Sequence, residues 1–220
     1  DLPDELLTLI FPLQSHQNDE AERLQRMGFL APTKHLTSKI IEDAHKSASA
    51  AIQRRDARGY DAARKISDLR RMHLLIDLLK TQGLKSALSY LSRAEEDGRS
   101  GERGTNRFVS LNSIHDFRIA AKDLPELHPK TSKVKEMAIQ QLEQNPDSKI
   151  LIFTEYRDTV ENLLQVLDSI ENLDVDKFIG QSTRGKRKGM NQKQQLEQLR
   201  KFRDGEINVL VATSVGEEGL

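Results

Sequence analysis

The chain has 220 residues, with 34 basic and 34 acidic side chains, and contains no cysteine. The absence of cysteine excludes disulfides and thiolate metal sites within this stretch. There is no apolar run long enough for a membrane span, and no charged-then-apolar leader pattern, so neither is expected. The balanced total hides an uneven distribution. Residues 1–32 and 136–220 are each net −4, whereas residues 33–135 are net +8. A cationic centre of this kind suits a polyanionic partner, or else a solvated helical surface.

In chain order, Ile40, Ile41, Ala44, Ala48, Ala51 and Ile52 recur at helical spacing, as do Ile66, Leu69, Met72, Leu75, Ile76 and Leu79. The second series predicts a helix over 61–80, with Asp61 as its N-cap and Gly83 as the break after it. A shorter helix is expected over 84–95. The polar, glycine-containing stretch 95–106 reads as a loop, and 111–121 as one more helix. Leu124 to Pro129 reads as a linker, because each of its prolines disfavours helix just before it.

The pattern then changes. A helix over 133–142 leads into 149–154, a continuous apolar run of the kind that forms a buried parallel strand. Helix 159–170, a weaker strand 175–179, a basic loop 181–189, helix 192–202 and a second apolar strand 207–213 follow. This alternation predicts a parallel α/β sheet with right-handed crossovers. The expected fold is therefore α plus α/β. Its two domains are a helical one over 1–128 and an incomplete parallel α/β lobe over 129–220, expected to be cut just beyond its last strand.

Several chemistries are not signalled. The sequence has no phosphate-binding loop of the G-x-x-x-x-G-K-[ST] kind, no dinucleotide turn and no nucleophile elbow. Its six histidines lack zinc spacing. The informative residues fall at strand ends. Thr154 ends the first strand, Gly180 and Gln181 the second, and Thr213 the third. In a parallel sheet these ends meet on one edge, where ligands bind. Hydroxyls, an amide and backbone N–H groups there suit phosphate oxygens. Arg184, Lys186, Arg187 and Lys188 add cations beside that edge.

Three stretches resemble a known family. Lys149-Ile-Leu-Ile-Phe-Thr-Glu-Tyr-Arg-Asp-Thr159 resembles motif IV of superfamily 2 helicases. Phe178-Ile-Gly-Gln181 resembles motif IVa, and Gly189 to Leu220 resembles the run into motif V. The whole chain is similar to the archaeal Hef helicase–nucleases and their Fanconi-anaemia M-type relatives. Leu79-Lys-Thr-Gln-Gly-Leu84 and the helix after it resemble the thumb-like helical insertion of that family.

The resemblance implies an ATP-dependent DNA helicase or translocase acting on forked or branched DNA, a family that also carries a structure-specific nuclease. It implies that Thr154, Gly180, Gln181 and Thr213 follow the backbone of one strand, and that Gly216 and Gly219 let the main chain come close. It makes Arg54, Arg55, Arg58, Arg64, Lys65, Arg70 and Arg71 candidate contacts of the insertion with DNA. ATP and Mg²⁺ are the implied cofactors of the intact protein, and a first RecA-like lobe is its implied partner. That lobe's phosphate loop and acidic motif are not in this sequence, so this stretch alone is expected to bind no nucleotide and to hydrolyse no ATP. A cytoplasmic, nucleoid-associated location and no membrane partner are expected. Two other readings stand beside this one: an RNA-directed motor of the Dicer or RIG-I-like kind, and a helical protein-interaction scaffold.

Overall fold

A computed structural model describes residues 2–180 and 189–213. The chain divides into two compact units, residues 1–128 and 129–220.

The first unit is helical. It contains α1 (Asp4–Arg26), α2 (Ser38–Gln53), α3 (Arg58–Thr81), α4 (Leu84–Arg99), α5 (Arg103–Val109) and α6 (Asn112–Ala121). The Thr37 side chain caps α2 by accepting from the Ile40 N–H at 3.3 Å. Alanines let α2 and α3 approach closely. Ala44, Ala48, Ala51 and Ala62 share one core with Leu24, Ile41, Ile66 and Leu69. Gly59 belongs to the same contact: a β-carbon there would lie 2.9 Å from both the Ile52 side chain and its backbone nitrogen.

Two expectations for this unit are corrected. Helix α3 starts at Arg58, not Asp61. Asp56 takes over the capping role, accepting from the Arg58 N–H at 3.0 Å. The expected loop over 95–106 is mostly helix, because α4 continues to Arg99 and α5 begins at Arg103. Gly98 is not a breaker there. It is buried, and a β-carbon on it would meet Asn106 Cα at 2.9 Å, so glycine permits the close packing of α4 on α5. Leu124 to His128 carries no regular structure, but it is held rather than loose. The Glu126 carboxylate accepts from the N–H groups of Leu84, Lys85 and His128 at 2.8, 2.9 and 2.9 Å.

The second unit is a three-layer α/β arrangement. Its elements are α7 (Pro129–Gln144), β1 (Ile150–Thr154), α8 (Arg157–Asp168), β2 (Val175–Phe178), α9 (Gln192–Asp204) and β3 (Val209–Thr213). All strand pairings are parallel, in the order β1-β3-β2. Alternate residues of β3 serve opposite faces, since side chains alternate along a strand. Val209 and Val211 pack with α7 and α8 through Ala138, Val160, Leu163 and Leu167. Leu210 and Ala212 pack with Phe178 and with Leu199 and Phe202 of α9. Asn191 and Gln194 form a capping box at the start of α9, and Gly205 ends it at φ 85°.

The strand 150–154 departs from the buried strand expected of its apolar run. Leu151 and Phe153 are 42% and 46% exposed. The strand order explains this: β3 takes the centre and β1 an edge, so one face of β1 stays uncovered among the described elements.

Candidate nucleic-acid interface

The carboxyl ends of the three strands lie side by side. Thr154 and Thr213 are direct register partners across β1 and β3, and Phe178 pairs with Ala212 one residue earlier. Thr154 is half-buried and Thr213 is 4% exposed. Gly180 follows β2 and is buried as well. The structure therefore brings Thr154, Gly180 and Thr213 to one edge. Gln181, Arg184, Lys186, Arg187, Lys188, Gly216 and Gly219 lie outside the described residues.

Two residues at this edge were not singled out from the sequence. Arg157, in the first turn of α8, donates from Nη2 to the Gly180 carbonyl at 3.0 Å. Gln195, on α9, donates from Nε2 to the Ile179 carbonyl at 3.0 Å. Lys177 of β2 also reaches α8, with Nζ 2.6 Å from Glu161 Oε1. The clue to Arg157 was its place three residues after Thr154, at the start of a helix that leaves the strand end.

The cations of the helical unit separate into two groups. Arg58 forms a fork with Asp56, with Nη2 2.7 Å from Oδ2. This bond is the main cause holding the Asp56 carboxyl below its usual range. Arg64 faces Asp61 at 3.5 Å, and Lys65 faces Glu20 at 3.9 Å. Arg71 is an internal strut between α3 and α5. It donates to Ser67 Oγ at 2.7 Å, to Thr105 Oγ1 at 3.1 Å and to Glu102 at 3.2 Å. Arg107, which the sequence did not single out, forms a fork on Asp68 at 2.8 and 2.9 Å, and that hydrogen bonding raises its pKa further. Arg54, Arg55 and Arg70 are exposed and make no ion pair among the described residues. Of the seven candidates, these three are exposed with no carboxylate within ion-pair distance among the described residues.

A parallel sheet with paired hydroxyls at its carboxyl edge, in a chain that also has exposed arginines on its helical unit, suits contact with a phosphate backbone. Comparison with known proteins agrees. Residues 130–220 match the helicase conserved C-terminal domain. The ATP-dependent DNA helicase MPH1 of Pyricularia oryzae is 31% identical over 158 residues, covering 66% of this chain and 14% of that protein. The Fanconi anemia group M protein of Gallus gallus is 31% identical over 164 residues, covering 64% of this chain and 8% of that protein. The crystal structure of the Pyrococcus furiosus Hef helicase domain superposes with a TM-score of 0.74 at 29% identity, covering all of this chain and 45% of that one. Residues 130–220 belong to the helicase conserved C-terminal domain family, and the chain as a whole is similar to superfamily 2 helicases of the Hef and Fanconi anaemia M type. It spans less than a fifth of the length of either curated relative.

The name of the first relative implies ATP. No group of three or more His, Cys, Asp or Glu among the described residues could hold a metal ion. The sequence also lacks a phosphate loop. The described residues do not build a nucleotide–metal site, so no hydrolytic step is assigned to them. No described helix is long and apolar enough to cross a membrane.

Proposed function

We propose that this chain is the strand-holding part of an ATP-dependent DNA helicase or translocase that works on forked or branched DNA. One observation carries the reading: Thr154 and Thr213 stand in register at the carboxyl edge of a parallel sheet. Two hydroxyls at neighbouring strand ends suit successive phosphates of one strand. In this reading Gly180, Gln181, Gly216 and Gly219 follow the same track, with Arg184, Lys186, Arg187 and Lys188 as its cations. The helical unit over 1–128 acts as the thumb-like insertion and meets duplex arms through Arg54, Arg55 and Arg70. ATP and Mg²⁺ are bound in the intact protein together with a first RecA-like lobe, and this stretch alone is inactive.

The test uses the complete protein. Forked DNA should stimulate its ATP hydrolysis more than duplex RNA of matched length does. Thr154→Ala should weaken that stimulation. Stronger stimulation by duplex RNA would overturn the DNA reading in favour of an RNA-directed motor.

A further inference from the structure

Helices α1, α2 and α4 end in the same hydrogen-bonded turn. After α1, the N–H groups of Gly28 and Phe29 donate to the carbonyls of Gln25 and Leu24 at 2.9 and 3.0 Å. After α4, those of Gly101 and Glu102 donate to Gly98 and Asp97, both at 3.2 Å. After α2, those of Arg55 and Asp56 donate to Ile52 and Ala51 at 2.9 and 3.0 Å. This turn puts the first of its two donors in the left-handed region, where glycine is the usual occupant. Gly28 and Gly101 follow that rule at φ 81° and 108°, and Arg55 breaks it at φ 61°. A β-carbon at 28 or 101 would meet nothing within 4 Å, so the backbone conformation alone accounts for glycine there. The other described residues that carry a side chain at positive φ are Asp123 and Asn172, types that tolerate it.

The corner between α2 and α3 thus carries an arginine where glycine would be less strained. No side-chain bond of Arg55 within the described fold offsets that strain. The residue is exposed, with no carboxylate within ion-pair distance among the described residues. The adjacent acid, Asp56, is already committed: it accepts from the Arg58 N–H, Nε and Nη2 at 3.0, 3.1 and 2.7 Å. Arg58 chiefly, and Arg54 with it, holds that carboxyl below its usual range. Arg55 is therefore the cation of this corner with the least part in the fold. It also stands on a tightly packed corner, since a β-carbon on Gly59 would lie 2.9 Å from Ile52. A side chain kept where the backbone disfavours it points to a role outside the fold. We propose that Arg55 is the phosphate-anchoring residue of the helical unit, held against a duplex arm at a position where stability alone would select glycine. The proposal rests on the reading of the helical unit as a surface for duplex DNA, and it singles out one residue of that surface and the stability lost for it.

Arg55→Gly makes the sharpest test, because it removes the charge and the strain together. The complete protein is titrated with a fluorescently labelled DNA duplex over a range of salt concentrations, and the melting temperature of each variant is measured alongside. Each phosphate neutralised on B-DNA contributes about 0.9 to the slope of log affinity against log salt. Arg55→Gly should lower that slope by about 0.9, while its melting temperature stays at or above the parent's. Dissociation from the duplex should quicken by about tenfold or more, as for the loss of one hydrogen bond to an ionised phosphate. Arg55→Asn, which tolerates the left-handed region, should match Arg55→Gly. Arg55→Lys keeps the charge and should keep the slope. An unchanged slope in Arg55→Gly would overturn the proposal. So would a lost slope with a lower melting temperature in both Arg55→Gly and Arg55→Asn, which would make Arg55 a structural tie of the corner. Slower association with unchanged dissociation would overturn it too, leaving Arg55 as a steering charge. Changing Arg54, Arg55 and Arg70 together to Gln separates the two levels. If that variant keeps the parent's slope, the duplex reading of the helical unit fails. If it loses slope while Arg55→Gly does not, only the anchor proposal fails.

Discussion

The Glu126 carboxylate fills the space where residue 83 would carry a side chain: a β-carbon on Gly83 would collide with Glu126 Oε1. Gly83 also holds φ at 111°, which side-chain-bearing residues rarely adopt. The pair locks the stretch before Pro129 onto the start of α4, because the same carboxylate takes the Leu84 and Lys85 N–H groups. Glu126→Ala should destabilise the helical unit by about 0.5–2 kcal/mol, the usual range for losing a helix N-cap. Gly83→Ala should be destabilising on its own. The double variant should cost less than the two together, because the clash partner is gone. Urea unfolding followed by circular dichroism checks this, and strict additivity would show that the two residues do not meet.

The seven arginine and lysine candidates of the helical unit should behave as two sets. Changing Arg54, Arg55 and Arg70 together to Gln should lower the salt slope of duplex binding in the complete protein by up to about 2.7. Helix content should hold, since Gln is close to Arg in helix propensity. Arg71→Gln should act on stability instead, costing about 1–3 kcal/mol by breaking its bonds to Ser67, Glu102 and Thr105. A fall in slope from Arg71→Gln with full stability would reverse this division.

His73 on α3 is half-buried, with Nδ1 3.4 Å from Gln17 Nε2. Burial pushes its pKa below the ordinary 6.5; Lys80 also lowers it and Asp77 opposes. The unfolded chain therefore takes up this proton first as the pH falls. The resulting loss of stability begins near the unfolded value and grows until the folded imidazole is itself protonated. His73→Gln should flatten the fall in unfolding free energy as the pH drops below about 6.5. An identical pH profile in the variant would mean that other groups account for the fall.

Thr213→Val keeps the shape of a side chain that is only 4% exposed and removes its hydroxyl. In the complete protein, unwinding should fall while ATP binding stays near the parent value. Losing one hydrogen bond corresponds to about 0.5–1.5 kcal/mol, and more to an ionised phosphate. Unchanged unwinding would leave Thr213 as a strand terminus with no part in holding DNA.

Local patterns carried much of the architecture. The runs 149–154 and 207–213 contain the strands Ile150–Thr154 and Val209–Thr213, because continuous apolar segments of this length suit a parallel sheet. Because both runs end in threonine, parallel strands bring Thr154 and Thr213 to one edge; their direct pairing also needed β3 to lie next to β1. The Asn191 cap and Gly205 stop of α9 act within one helical turn, although neither was singled out from the sequence. The stretch 95–106 misled because polar residues and glycines look alike in a loop and in a helix packed through a glycine. Only the approach of Asn106 to Gly98 tells them apart.

Composition, hydrophobic period and the threonines at strand ends by themselves determined the division into helical and α/β parts and the edge on which to look for a ligand, since these depend on neighbours within a few positions along the chain. Which cations are free, which strand is central and what grips the chain after β2 were decided only in three dimensions. Arg71 meets Glu102 31 residues away, Arg107 meets Asp68 39 away, and Arg157 meets Gly180 23 away. An arginine has the same charge on paper whether it is solvated or locked in a fork, and its availability is set by the distance to a carboxylate or carbonyl that only folding brings near.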